Sequence, residues 1–300
     1  MKQSLSPKEL AQVIGVSESS LKRWADGGRL RVNRTMGGHR RITIQEAVRF
    51  AREAQLPIVR PELLGISSVG RVAVQHRGVQ PEEAARLLEK FLFDGKAEEA
   101  RGLLLDLYFR GKSVAWLCDG PIRSAMTELG EVWKHESRGI YIEHRAMDIC
   151  LNALNQLRLL LAEPTLEDAP ISPEAGSGRP LALGAAPAND PYILGSLMSA
   201  CVCVEAGYRD VNLGANLPLG SLIEAAQRYQ PRLVWLSCSH REAVPTPDEI
   251  DNLAQTLTEI NARLIVGGQA LPRGNGGSEN VVACGNMGEL HAFARGLLSA

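Results

Sequence analysis

At 300 residues the chain is longer than one compact core requires, and two or three domains are expected. Its 45% hydrophobic and 22% charged composition is ordinary for a soluble globular protein, and no run approaches the roughly 18 apolar residues of a membrane span. The net charge of −1 hides an asymmetry: residues 1–60 hold twelve Lys or Arg against five Asp or Glu, a net +7, which leaves −8 on the remaining 240. The opening MKQSLSPKEL lacks the apolar core of an export signal, and six cysteines without CxxC spacing read as reduced thiols, so a cytoplasmic location is expected. A basic head on an acidic body points to an anionic partner for the head alone, and DNA is the obvious polyphosphate.

The first predicted helix begins in SPKELAQVIG, where Ser6 caps, Pro7 fits the first helical position and Glu9 completes a capping box. Leu10, Val13 and Ile14 recur at helical spacing before Gly15 ends the run. A second helix, ESSLKRWADGG, starts at Ser17 after a tight turn, which makes a helix-turn-helix unit. It offers Ser19, Ser20, Lys22 and Arg23 around Leu21 and Trp24, and short hydroxyls and cations suit base edges and phosphates in a major groove. LRVNRTMGGHRRI then reads as a β-hairpin wing bearing Arg34, His39, Arg40 and Arg41, placed for backbone phosphates, unless His39 only braces the wing. Residues 5–53, above all in LKRW and GGHRR, resemble the winged-helix DNA-binding domain of MerR-type regulators. That resemblance implies double-stranded operator DNA as the partner of a domain over residues 1–58.

Residues 59–80 show scattered Gly and Ser without a clean period and read as a linker. From 81 to 164 four helical segments, separated by Gly-bearing breaks, predict a four-helix bundle. Within it Trp133 is followed, after nine intervening residues, by Glu143-His144, with Gly139 between, so a helix end and a helix start could converge there. On spacing alone a core Trp and a solvated Glu-His pair explain these residues as well as a ligand does.

Residues 165–179, rich in Pro, Gly, Ser and acid, form a second linker. Over 180–300, strands at LALGAA, DVNLG, RLVWLS, LIVGG and VVAC alternate with four helices, which predicts a parallel α/β sheet with ligands favoured at its carboxyl rim. The loop NDPYILG, residues 189–195, lies on that rim. The expected fold class is therefore multidomain α plus α/β: a winged helix-turn-helix, a four-helix bundle and a flavodoxin-like (Rossmann-type) domain.

A bundle carrying Trp-x9-Glu-His ahead of a flavodoxin-like domain resembles the cobalamin-binding unit of methionine synthase. With the MerR-type head, residues 5–300 resemble the CarH/LitR group of cobalamin-dependent, light-responsive repressors. The resemblance implies that Trp133, Glu143 and His144 cover the upper face of a corrin, that Gly267-Gly268 admit its nucleotide tail, and that Ser237 is the accompanying loop serine. Asp190 and Gly195 are in register with a family Asp-x-His-x-x-Gly loop, but Tyr192 stands where that loop supplies a histidine to cobalt. A phenol must lose a proton with pKa near 10 before it coordinates, whereas neutral imidazole is ready to. The alternatives this leaves are cobalamin (adenosylcobalamin) unligated from below, a replacement ligand in His240 or His135, phenolate coordination, a biliverdin-type bilin or haem instead, or no ligand at all. Cys201, Cys203 and Cys238 are candidate tethers for a bilin, or simply small buried residues.

The expected function is a DNA-binding transcriptional regulator, not an enzyme. Its tetrapyrrole state, with light as a candidate signal, would set self-association as dimer or tetramer and so operator affinity. The other classes are a ligand-independent DNA-binding adaptor and a corrinoid methyltransferase carrier, the last of which has no use for a basic head.

Overall fold

The computed structural model describes residues 4–66, 80–133, 139–162, 178–271 and 281–299, except for the side chains of Val132 and Trp133. The chain divides into two compact units, Met1–Ser113 with Gly120–Pro164, and Val114–Asp119 with Thr165–Ala300. The predicted linkers 59–80 and 165–179 fall largely outside the described residues, as does His135. No helix among the described residues is long and apolar enough to cross a membrane.

In the first unit, strand β1 (Ser4–Leu5) leads into helix α1 (Pro7–Ile14), whose Ser6 and Glu9 form the expected capping box and whose end is closed by left-handed Gly15. Helix α2 (Glu18–Asp26) is capped by Ser17 and buries Leu21, while Trp24 packs its ring 5.2 Å from Phe50. Strands β2 (Asn33–Arg34) and β3 (Arg40–Thr43) form an antiparallel hairpin, and β3 also pairs with β1. Helix α3 (Ile44–Glu53) follows directly, capped by Thr43. Its buried Glu46 accepts from the Arg31 N–H at 2.7 Å and from Arg49 Nε at 2.7 Å, so this buried carboxylate is paired at both oxygens.

Helices α4 (Pro81–Phe93) and α5 (Ala97–Phe109) are joined by a turn at left-handed Gly95. A Cβ at Gly95 would lie 2.8 Å from the Arg145 guanidinium, which reaches in to donate to the Phe93 carbonyl at 2.6 Å. The third predicted segment, 113–139, is not one helix. It comprises a short helix α6 (Val114–Leu117), a π-helical turn over Cys118–Ile122 and helix α7 (Arg123–Trp133). Pro121 explains the break: it lacks an N–H and its ring crowds the preceding turn, which widens to accept it. Helix α8 (Gly139–Leu161) completes the four-helix packing with α4, α5 and α7. Against this bundle lies α3 of the head: Arg52 stacks its guanidinium 3.7 Å from the Tyr108 ring centroid and donates to the Tyr108 and Lys112 carbonyls, and Gln45 donates to the Leu159 carbonyl.

The second unit holds a five-stranded parallel sheet of β4 (Leu181–Ala185), β5 (Arg209–Asn212), β6 (Leu233–Ser237), β7 (Arg263–Gly267) and β8 (Val281–Cys284). Between these strands run α9 (Leu194–Ala206), α10 (Leu219–Tyr229) and α11 (Pro247–Glu259), and α12 (Met287–Ser299) closes the chain. The order β5-β4-β6-β7-β8 is that of a doubly wound sheet, and its direction of winding reverses between β4 and β6. One face buries Leu183, Val234, Leu236, Leu264 and Val266 under α10 and α11. Two carboxylates fasten α6 to this unit, Glu205 accepting from Val114 N and Asp119 from Met287 N and Gly288 N at the start of α12. That attachment explains why residues 114–119 belong with the sheet although the sequence places them within the bundle segment.

Candidate functional site

A doubly wound sheet favours ligands at its carboxyl edge where the winding reverses, and here the loops after β4 and β6 meet at that point. The buried Asp190 is their junction. Its Oδ1 accepts from Tyr192 N at 3.0 Å and its Oδ2 from Ser239 N at 2.6 Å and His240 N at 3.0 Å. Its carbonyl accepts from Asn216 N at 2.9 Å, and left-handed Asn189 donates its N–H to the Asn216 side chain. Three loops are thus held by one aspartate. Tyr192 and Ile193 project beyond it, 40% and 37% exposed, and the Tyr192 ring lies 6.2 Å from that of half-buried His240. The His240 Nδ1 is buried without a hydrogen-bond partner.

Beneath this rim the first turn of α9 sits directly on the strand ends. A Cβ on Gly195 would come 2.5 Å from Ser237 Oγ, and one on Gly268, whose φ is 125°, would come 2.0 Å from the Cys238 carbonyl oxygen. A Cβ on Gly267 would stand 3.1 Å from the Cys284 carbonyl oxygen. One side-chain repeat below Ser237 on the same face is Trp235, 1% exposed and lying over its register partner Gly184, where any Cβ would strike the indole. The indole N–H donates to Ser196 Oγ at 3.0 Å, which donates to Asn212 Oδ1 at 2.8 Å, and Asn212 also receives the Gly214 N–H. Trp235, Ser196 and Asn212 carry no signal in the sequence, because strand register, which no short-range pattern reports, is what stacks Trp235 on Gly184.

In the first unit, half-buried Glu143 and His144, whose side chain is 76% exposed, lie near the start of α8, with His144 Nε2 3.8 Å from Glu143 Oε2. Ile140 and Tyr141 beside them are 53% and 58% exposed, a large apolar pair open to solvent. Trp133 is the last residue of α7; its side chain is outside the described residues. At the other end of this unit Ser17, Ser19 and Ser20 bring their hydroxyls together at the start of α2 (2.8 and 3.0 Å from Ser17 Oγ), with Lys22 and Arg23 exposed further along. Arg34, His39 and Arg41 are exposed on the β2–β3 hairpin, and half-buried Arg40 is paired with Asp26 of α2 at 2.8 Å. The hairpin is therefore tied to the helix whose start carries the hydroxyls.

No protein-family model matches the sequence. No curated protein matches it either. Among solved structures, the monomethylamine corrinoid protein of Methanosarcina barkeri is similar with a TM-score of 0.52 at 15% identity, over 72% of this chain and 98% of that one. The methanol:cobalamin methyltransferase complex of the same organism gives 0.38 at 15% identity over 78% and 92%, and a cobalamin-binding protein of Desulfitobacterium hafniense DCB-2 gives 0.32 at 16% over 71% and 94%. Only the first speaks to the fold: over 72% of this chain it shows the fold of a solved corrinoid protein.

The residues present do not fit a cobalamin held with its nucleotide inside the α/β unit. The space beside Gly268 is taken by the Cys238 backbone, that beside Gly195 by Ser237, and the sheet face below by the Trp235 indole. Tyr192 replaces the imidazole, and Asp190 is committed to backbone N–H groups. The candidate bilin tethers are no better suited. Cys201, Cys203 and Cys238 are fully buried, and burial, with the Asp190 charge adding to it, pushes the Cys238 thiol up to about 12.

Proposed function

We propose that this chain is a DNA-binding transcriptional regulator whose C-terminal module binds the ring of a tetrapyrrole, a corrinoid first among candidates. Ligand state would change self-association and thereby operator affinity. The reading rests on one conjunction: a basic, hydroxyl-bearing helix and hairpin in the same chain as the fold of a corrinoid protein. In this reading α1, α2 and the β2–β3 hairpin are a MerR-type winged helix-turn-helix, with Ser19, Ser20, Lys22 and Arg23 toward the major groove and Arg34, Arg40 and Arg41 toward phosphates. Arg52, stacked on Tyr108, and Gln45, bonded to the Leu159 carbonyl, make the bundle the body that carries the head. Tyr192 and Ile193 at the rim are the exposed apolar surface of the α/β unit that a flat macrocycle would cover.

The chain is proposed to transmit a signal and not to turn over a substrate. A corrinoid, when bound, would supply a photolabile or redox-active metal centre; the residues named here would bind and orient it and exclude water. The test selects duplexes from a random-sequence library with the purified protein, then titrates the selected duplex with and without hydroxocobalamin, haem or biliverdin, in darkness and after illumination. A ligand- or light-dependent change in affinity of about tenfold or more supports the reading, and failure to retain any duplex overturns it. One observation, the filled face under α9, favours a second reading, a ligand-independent DNA-binding adaptor; sequence-selective DNA binding without tetrapyrrole absorbance would establish it.

A further inference from the structure

The indole of Trp235 is a fused six-and-five ring, about the size of the benzimidazole base that ends a cobalamin nucleotide. It lies over Gly184 on the sheet face under α9, and its N–H is satisfied by Ser196, which is itself satisfied by Asn212. Above it the backbone of Gly195 packs close against Ser237 and that of Gly268 against the Cys238 carbonyl, with no room for a Cβ at either. The indole N–H and the Ser196 hydroxyl are both paired, so neither offers a vacant donor for an incoming base to meet. A displaced indole would leave Ser196 and Asn212 to be satisfied anew inside the unit. The rim outside is another matter, because Tyr192 and Ile193 are exposed there and can support a flat ring.

We infer that Trp235 takes the place of a nucleotide base within the chain, so that the α/β unit accepts a tetrapyrrole ring at its rim and leaves the nucleotide tail outside. The ligand class is a corrinoid whose tail is absent or remains folded on its own metal. This deepens the proposed function and rests on it.

The test compares full-length protein titrated in darkness with hydroxocobalamin and with aquocobinamide, which has the same ring and no nucleotide. Equal affinities, within about threefold, together with a bound-cobalamin spectrum in which the base stays coordinated, are the expected result. The substitution Trp235→Ala should open the space and shift preference toward cobalamin by about tenfold or more; should that variant fail to fold, the wild-type comparison decides alone. Cobalamin binding about tenfold tighter than cobinamide, with its base displaced, overturns the inference and leaves the proposed function standing. Binding of neither corrinoid overturns both.

Discussion

The head and the α/β rim gather similar polar residues and use them in opposite directions. In the head, Lys22, Arg23, Arg34 and Arg41 are exposed, and the salt bridge from Arg40 to Asp26 fixes the hairpin without hiding its neighbours. At the rim, Asp190 is 0% exposed and receives three backbone N–H groups, and Ser196 and Asn212 serve a buried indole. The first arrangement leaves charge for a partner to neutralise; the second pairs Asp190, the indole N–H and the Ser196 hydroxyl internally, with the His240 Nδ1 as the exception, and gains rigidity. Motif residues that look alike in sequence therefore carry different implications, and internal satisfaction is the physical mark that separates them.

The sharpest way to break this contrast is Asp190→Ala. Removing a buried carboxylate strands three N–H groups in the loops at the winding reversal, and a loss of about 3–5 kcal/mol in urea unfolding is expected. Asp190→Asn keeps the shape and one good acceptor, and should lose about half as much. Unchanged unfolding with an altered tetrapyrrole spectrum would mean that the aspartate serves a ligand and that the rim is as outward-looking as the head.

The second test falls on the head. Arg41→Glu alone, and with Arg40→Glu, should weaken DNA binding by about ten- to a hundredfold at low salt and flatten the salt dependence by roughly one contact per cation. Arg40→Glu also sets like charge against Asp26, so Arg40→Ala separates lost phosphate contact from a loosened hairpin. Equal effects at high and low salt would point to hairpin disorder in place of lost phosphate contacts.

These two regions were not equally legible. Ser6, Glu9, Pro7 and Gly15 announce α1 because caps act within four residues, and the sequence places them where the structure does. The five strands also follow from their apolar runs, within a residue or two at each end. Two ends differ for local reasons: the predicted DVNLG stops at Asn212, whose side chain takes the Gly214 N–H, and LIVGG stops at Gly267, before Gly268 turns to a φ of 125°. The filling of the face under α9 was out of reach, since it depends on Gly184 and Trp235 meeting across two strands 51 positions apart.

A third, smaller effect probes how firmly the head is seated. Arg52 combines a ring contact with two carbonyls, and Arg52→Ala should cost about 1–3 kcal/mol, seen as faster amide exchange in α3 while α4 and the α/β unit are unchanged. Uniformly faster exchange would place the residue in the global core instead of a local seat.

The smallest expected effect is an absence of reaction, and it sharpens the inward character of the α/β unit. Cys201, Cys203 and Cys238 are buried, and Cys284, the partly exposed member of this unit, is pushed up to about 11 by burial and by Glu289. A raised thiol pKa means the neutral form is favoured on folding, so at pH 8 only about a thousandth of Cys284 is thiolate, rising about a hundredfold at pH 10. By linkage the same shift stabilises the fold below the ordinary thiol pKa and is lost as pH climbs through the raised one. Titration with an aromatic disulfide at pH 8 should therefore label native protein slowly and at Cys284 first, while urea exposes all six thiols. Rapid labelling of Cys238 in the native state would show that the loop after β6 opens, and with it the floor that Asp190 and Gly268 hold in place.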